Sequence, residues 1–182
     1  MKKLILLAII PLAFSACQKL GPAPSNSAVM AKDTIPDTGL FYLRLVKDST
    51  KSVREEGYVE TAVEFDHQFH LYYDGAEDSH VPDFDPNLVV LGITSDGQLV
   101  QWDGIPYAPG VTIPIFVQAA TGPYFLKISL LRKIPADINI WCRDNYLKDS
   151  LNLRKGNYNF NVDRADANTF GKKRFQIIIR PQ

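Results

Sequence analysis

Residues 64–86, EFDHQFHLYYDGAEDSHVPDFDP, hold the densest set of side chains able to do chemistry. All three histidines of the chain fall there. A zinc site needs about four nitrogen, sulfur or oxygen ligands. His67 and His70 share a face only on a helix; on a strand their spacing puts them on opposite faces. His80 stands apart, and no CxxC or HExxH frame completes a transition-metal set. Calcium takes carboxylate and carbonyl oxygens, and Asp74, Glu77 and Asp78 are its candidates, with Asp83 and Asp85 further along. They lack the EF-hand spacing, so a solvated acidic loop competes with the calcium reading. A glycosidase pair can also be drawn on paper from Asp74, Glu77 or Asp78, but any acidic loop offers two carboxylates. No phosphate loop, nucleophile elbow or dinucleotide fingerprint occurs. The sequence therefore offers no catalytic residue and, calcium aside, no cofactor. The stretch keeps its interest because long irregular segments in compact domains tend to carry function.

A second kind of chemistry is stacking. Trp102, Tyr107, Phe116 and Trp141 lie in turns or on the strand face opposite the apolar positions. Such rings stack sugars or anchor protein partners. Trp102, Tyr107 and Trp141 are the candidate ligand-binding residues. The competing reading packs them under the loop of residues 64–86.

The elements that would hold these groups are short and alternate apolar with polar residues. Residues 40–46 form such a run, and residues 57–63 resume it after a charged turn. Asn87–Ile93 and Leu99–Trp102 flank Ser95-Asp96-Gly97, a strong hairpin signal. Val111, Ile113, Ile115 and Val117 alternate next; Pro114 cannot donate to a ladder, so this strand should be an edge or carry a bulge. Tyr124, Leu126, Ile128 and Leu130 share one face. So do Ile138, Ile140 and Cys142; then Tyr158, Phe160 and Val162; then Phe175, Ile177 and Ile179. No window carries a helical stripe. The pattern predicts an all-β fold, a two-layer antiparallel β-sandwich of Ig-like or jelly-roll-like kind, filling residues 38–182 as a single domain.

The opening residues are an address. MKKLILLAIIPLAFSAC has a basic start, an apolar run too short to span a bilayer, and a small-residue site before Cys17. It resembles a bacterial lipoprotein signal over residues 1–17, with Cys17 as the lipidated first mature residue and Phe14 as a departure from the usual aliphatic. Residues 18–37 read as a flexible tether spanning roughly 25 Å. Gln18 replaces the Asp of the inner-membrane retention signal, so the resemblance implies an outer-membrane lipoprotein on either face. Without Cys17 the chain keeps one thiol, Cys142, and can form no internal disulfide, so its stability must come from the core. Lys plus Arg equals Asp plus Glu at 20 each, and no clustered basic face marks a nucleic-acid partner.

Ile138-Asn139-Ile140-Trp141-Cys142-Arg143-Asp144-Asn145, Leu153, Tyr158-Asn159-Phe160 and Arg174-Phe175-Gln176-Ile177 together resemble an Ig-like module of secreted and surface proteins of Bacteroidota. Tyr42-Leu43-Arg44-Leu45, Gly57-Tyr58, Phe65-Asp66, Tyr73-Asp74 and Gly122-Pro123-Tyr124 fit it upstream. That module stands before the sorting domain read by type IX secretion; here the lipoprotein signal stands in its place, so the resemblance implies a free-standing lipoprotein. It brings no catalytic residues. The expected function is that of a non-catalytic, lipid-anchored envelope protein for surface adhesion, assembly or secretion-associated scaffolding, with an envelope protein as partner. The alternative is carbohydrate binding at the cell surface through the exposed aromatics.

Overall fold

The computed structural model describes residues 38–48, 58–66, 68–69, 75, 79–80 and 88–182. These fall within one compact unit, Thr34–Gln182. Cys17, the tether, His67, His70, Asp74, Glu77, Asp78, Asp83 and Asp85 lie outside the described residues.

The described fold is all-β, with one short 3₁₀ turn at Ala167–Thr169. In chain order the strands are β1 (Thr38–Lys47), β2 (Tyr58–Asp66), β3 (Ser79–His80), β4 (Val90–Ser95), β5 (Gln98–Ile105) and β6 (Thr112–Gln118). Then follow β7 (Gly122–Arg132), β8 (Ile138–Asp144), β9 (Asp149–Asn152), β10 (Tyr158–Val162) and β11 (Gly171–Pro181). They form one continuous sheet in the order β10-β7-β1-β2-β5-β4-β6-β11-β8-β9, with β3 added on β5. The sheet curls until it nearly closes into a barrel.

Wholly antiparallel pairing was expected, and it fails at one seam. β2 and β5 run parallel from Ala62↔Trp102 to Phe65↔Ile105. A hairpin cannot join parallel neighbours, and the intervening chain supplies the crossover.

Alternation explains most of the core. Phe41, Leu43 and Leu45 on β1, Ile113, Ile115 and Val117 on β6, and Phe175, Ile177 and Ile179 on β11 are all buried. Ile138, Ile140 and Cys142 on β8 and Tyr158, Phe160 and Val162 on β10 follow the same rule. Asp96 and Gly97 turn the β4–β5 hairpin with φ of 44° and 84°, the sign that a tight two-residue turn demands at both positions.

Two expectations need correction. In β7 the pairing with β1 skips Ser129, so Ile128 faces Leu43 but Leu130 faces Tyr42. Leu130 therefore leaves the core side, and Leu131 packs against the core in its stead; a bulge shifts the face by one residue. Pro114 lies in a strand flanked by β4 and β11, not at an edge of the sheet. The bulge half of the expectation fares better, because the β6–β11 register breaks beside it, between Val117↔Gly171 and Ile115↔Phe175. The β4 ladder ends at Ile93↔Ile115, so beyond it only β11 lies beside Pro114, as Gln176.

Gly92 marks a close approach across the β4–β5 hairpin. A Cβ there would stand 2.7 Å from Leu99 Cδ1 and 3.0 Å from the Val100 carbonyl oxygen. Leu99 can rotate away, but the backbone oxygen can yield only with its strand. Gly92→Ala should therefore destabilise the fold by about 1–3 kcal/mol, measured by urea unfolding; an unchanged midpoint would show that the hairpin yields freely.

Candidate binding surface

The outer face of β1, β2 and β5 carries a pocket at a residue expected from the sequence. Phe41 and Leu43 point inward on β1, so Tyr42 between them points out. Trp102 meets it edge-on, with ring centroids 6.3 Å apart at 74°. Tyr42, Glu60, Ala62, Gln101 and Trp102 line a pocket of about 290 Å³. Ala62 and Trp102 are register partners across the parallel seam, and the small alanine leaves room beside the indole.

Polar groups around the pocket are held in place. Glu60 Oε1 accepts from Arg44 Nε at 2.8 Å and from Ser129 Oγ at 2.5 Å, tying β2 to β1 and to the bulge in β7. The Arg44 guanidinium also lies 3.8 Å over the Tyr58 ring. Thr61 Oγ1 donates to the Gln101 carbonyl at 2.7 Å. An aromatic corner edged by a carboxylate and an amide can stack one face of a sugar ring and hydrogen-bond its hydroxyls.

Part of the chain around residues 64–86 covers the neighbouring surface. Ser79 pairs with Trp102 and His80 with Val100. Phe69 packs so closely on Gly104 that a Cβ there would stand 3.0 Å from its ring. The loop and the candidate aromatic thus meet on β5.

The other two candidates are placed differently. Tyr107 packs edge-on against the buried Phe65 at 5.8 Å and borders the core, so its ring serves packing. Trp141 is half-buried on β8, beside Ile178 of β11, and the Arg180 guanidinium lies 4.9 Å over its ring. Its indole N–H is buried without a partner among the described residues. A ligand stacking on the covered face would first have to displace Arg180. Trp102, Tyr107 and Trp141 do not converge on a common pocket.

Among the described residues the densest polar cluster is buried, and nothing local in the sequence marks it as a unit. Arg174 Nη2 and Nε lie 2.9 and 3.0 Å from Asp144 Oδ2, and the two side chains are 1% and 0% exposed. Arg174 Nη1 donates to the carbonyls of Asn161, at 2.7 Å, and Thr169. Asp144 also accepts from the backbone N–H groups of Tyr146 and Leu147 and from the Tyr158 hydroxyl at 3.2 Å. The guanidinium packs over Phe175, Phe160 and Tyr146 at 4.7, 4.9 and 5.3 Å. This cluster joins β8 and β11, near one end of the sheet, to β10 at the other. Its carboxylate and guanidinium are committed to each other and to backbone, so it is a fastening and offers no free acid or base.

Protonation follows these surroundings. Burial, then the nearby Asp144 charge, pushes the Cys142 thiol far above its ordinary range, and the residue is fully buried. In native protein Cys142 should not react with iodoacetamide, whereas in urea-unfolded protein it should take up label; fast labelling at Cys142 in the folded state would contradict the placement. Burial also raises the Tyr158 hydroxyl, with Asp144 adding to the shift. Asp166 goes the other way. The Asn168 N–H and the Tyr146 hydroxyl hold its carboxyl below the usual range, so it keeps its charge in mild acid.

Among the described residues no group of three or more His, Cys, Asp or Glu side chains could hold a metal ion; the calcium candidates lie outside that set. No helix among the described residues is long and apolar enough to cross a membrane. No protein-family model, curated protein or solved structure matches the chain. The resemblance to the Bacteroidota module therefore stands on its sequence motifs alone.

Proposed function

We propose that this chain is a non-catalytic, lipid-anchored protein of the bacterial outer membrane that works by binding, in surface adhesion, assembly or secretion-associated scaffolding. One observation supports the non-catalytic part most directly: among the described residues the strongest charged constellation, Arg174 with Asp144, is saturated by its own partners. The anchoring part rests on the leader ending at Cys17. In this reading the curled sheet is a two-layer Ig-like sandwich of the kind found in Bacteroidota surface proteins, its layers meeting over Phe160 and Phe175 at 4.7 Å.

Metabolic labelling with a radioactive fatty acid tests the anchor. Label is expected on the native chain and not on Cys17→Ser; an unlabelled native chain defeats the assignment. Co-purification from native envelope then asks for the protein partner.

A second reading is favoured by the pocket at Tyr42 and Trp102. There the domain holds a glycan, with the indole stacking on a sugar ring and Gln101 and Glu60 meeting hydroxyls. Base and sugar stacking on aromatic side chains share the same origin, a ring face laid on a ring face, worth about 1–3 kcal/mol per base in nucleic-acid sites. Polysaccharide pull-down should retain the wild type and lose Trp102→Ala and Tyr42→Ala. Equal retention of all three removes this reading.

A further inference from the structure

β10 has β7 on one side and no strand on the other among the described residues. An open strand edge presents unpaired backbone groups and is a template for a further strand. The direction of those groups can be worked out. The Asn161 carbonyl accepts from Arg174, so it points away from β7. The N–H and C=O of one residue point the same way, and the side reverses at each step along a strand. The Asn161 N–H and both backbone groups of Asn159 therefore face the open side, and both side chains are exposed.

Beside this edge runs a groove of about 570 Å³, walled by Asn159 and Asn161 on one side and by Tyr146 and Leu147 on the other. Tyr146 and Leu147 are 44% and 52% exposed, two of the few large apolar side chains left open to water among the described residues. Asp48, Asp163 and Asp166 also line the groove, and Asp166 stays ionised for the reasons given above.

We propose that the open edge of β10 receives an extended segment of a second protein, in which basic residues alternate with apolar ones. Its backbone pairs with Asn159 and with the Asn161 N–H. Its apolar side chains rest on Tyr146 and Leu147, and its basic ones face Asp48, Asp163 and Asp166. The surface shares no lining residue with the Tyr42–Trp102 pocket. It depends on the functional reading above only in that the partner is a protein, and failure here leaves the lipid anchor and the glycan reading untouched.

A fluorescein-labelled peptide of four Lys-Val repeats, followed by anisotropy, tests it on the full chain. Binding should weaken with salt, and the matching Glu-Val peptide should not bind. Asn159→Pro removes an N–H that faces no strand, a place where an edge tolerates proline. It should weaken binding about five- to tenfold while the melting temperature holds. Leu147→Asp should do the same through the opposite wall, and it decides the matter if the proline variant fails to fold. Absent Lys-Val binding, equal binding of the Glu-Val peptide, or unchanged affinity in the folded variants would overturn the proposal. So would self-association that Asn159→Pro abolishes, which would put a second copy of the chain in the groove.

Discussion

Arg174→Ala should lower folding stability by about 3–5 kcal/mol, the usual loss when one partner of a buried ion pair is removed. Asp144 would keep the Tyr146 and Leu147 N–H groups and the Tyr158 hydroxyl, but its charge would have no counter-ion. The carbonyls of Asn161 and Thr169 would lose their donor. Lysine should not rescue, because an ammonium cannot reach a carboxylate and two carbonyls in the planar geometry a guanidinium offers. Replacing Arg174 and Asp144 together by apolar residues should cost less than the two single changes added. Urea unfolding of the wild type and these four variants measures this, and a loss below about 1 kcal/mol for Arg174→Ala would show that the pair does not fasten the sheet.

Phe175→Ala should be of similar size, about 3–5 kcal/mol. The ring is fully buried and meets Phe160 at 4.7 Å and Tyr158 at 6.1 Å. Its loss would open a void between β10 and β11. The Arg174 guanidinium lies over the same ring, so Phe175→Ala and Arg174→Ala should be sub-additive when combined. Full additivity would mean that the two act independently despite their contact.

These two residues also show what a sequence can reveal and where it stops. Phe175 was legible because it alternates with Ile177 and Ile179, and period 2 is a local signal. The Asp96-Gly97 turn was legible for the same reason: its chemistry lies within four residues. Trp102 was legible as an outward ring, though not as the partner of Tyr42, which comes from another strand. Arg174 was not legible as buried. A charged residue reads as solvated unless its counter-ion is known, and Asp144 is 30 residues away. The motif that held Asp144, Tyr158, Phe160, Arg174 and Phe175 in one pattern contains members of this cluster without revealing that they touch. The Ser129 bulge was hidden because a run of apolar residues, Leu130-Leu131, satisfies either face. The parallel seam was hidden because pairing direction is set by connections, which alternation does not encode.

The position of β11 bears on how the protein could be made. It lies between β6 and β8, yet it follows both in the chain. Until residues 171–181 emerge, β8 and β9 form a hairpin with no sheet to join, and β6 shows an unpaired side. Closing β6 onto β11 means joining segments more than 50 residues apart, and such distant pairings form slowly. A chain threaded across a membrane from its N-terminus could pair the strands from β10 to β6 before β11 arrives, but it would seat β8 and β9 and complete its sheet only with its last strand.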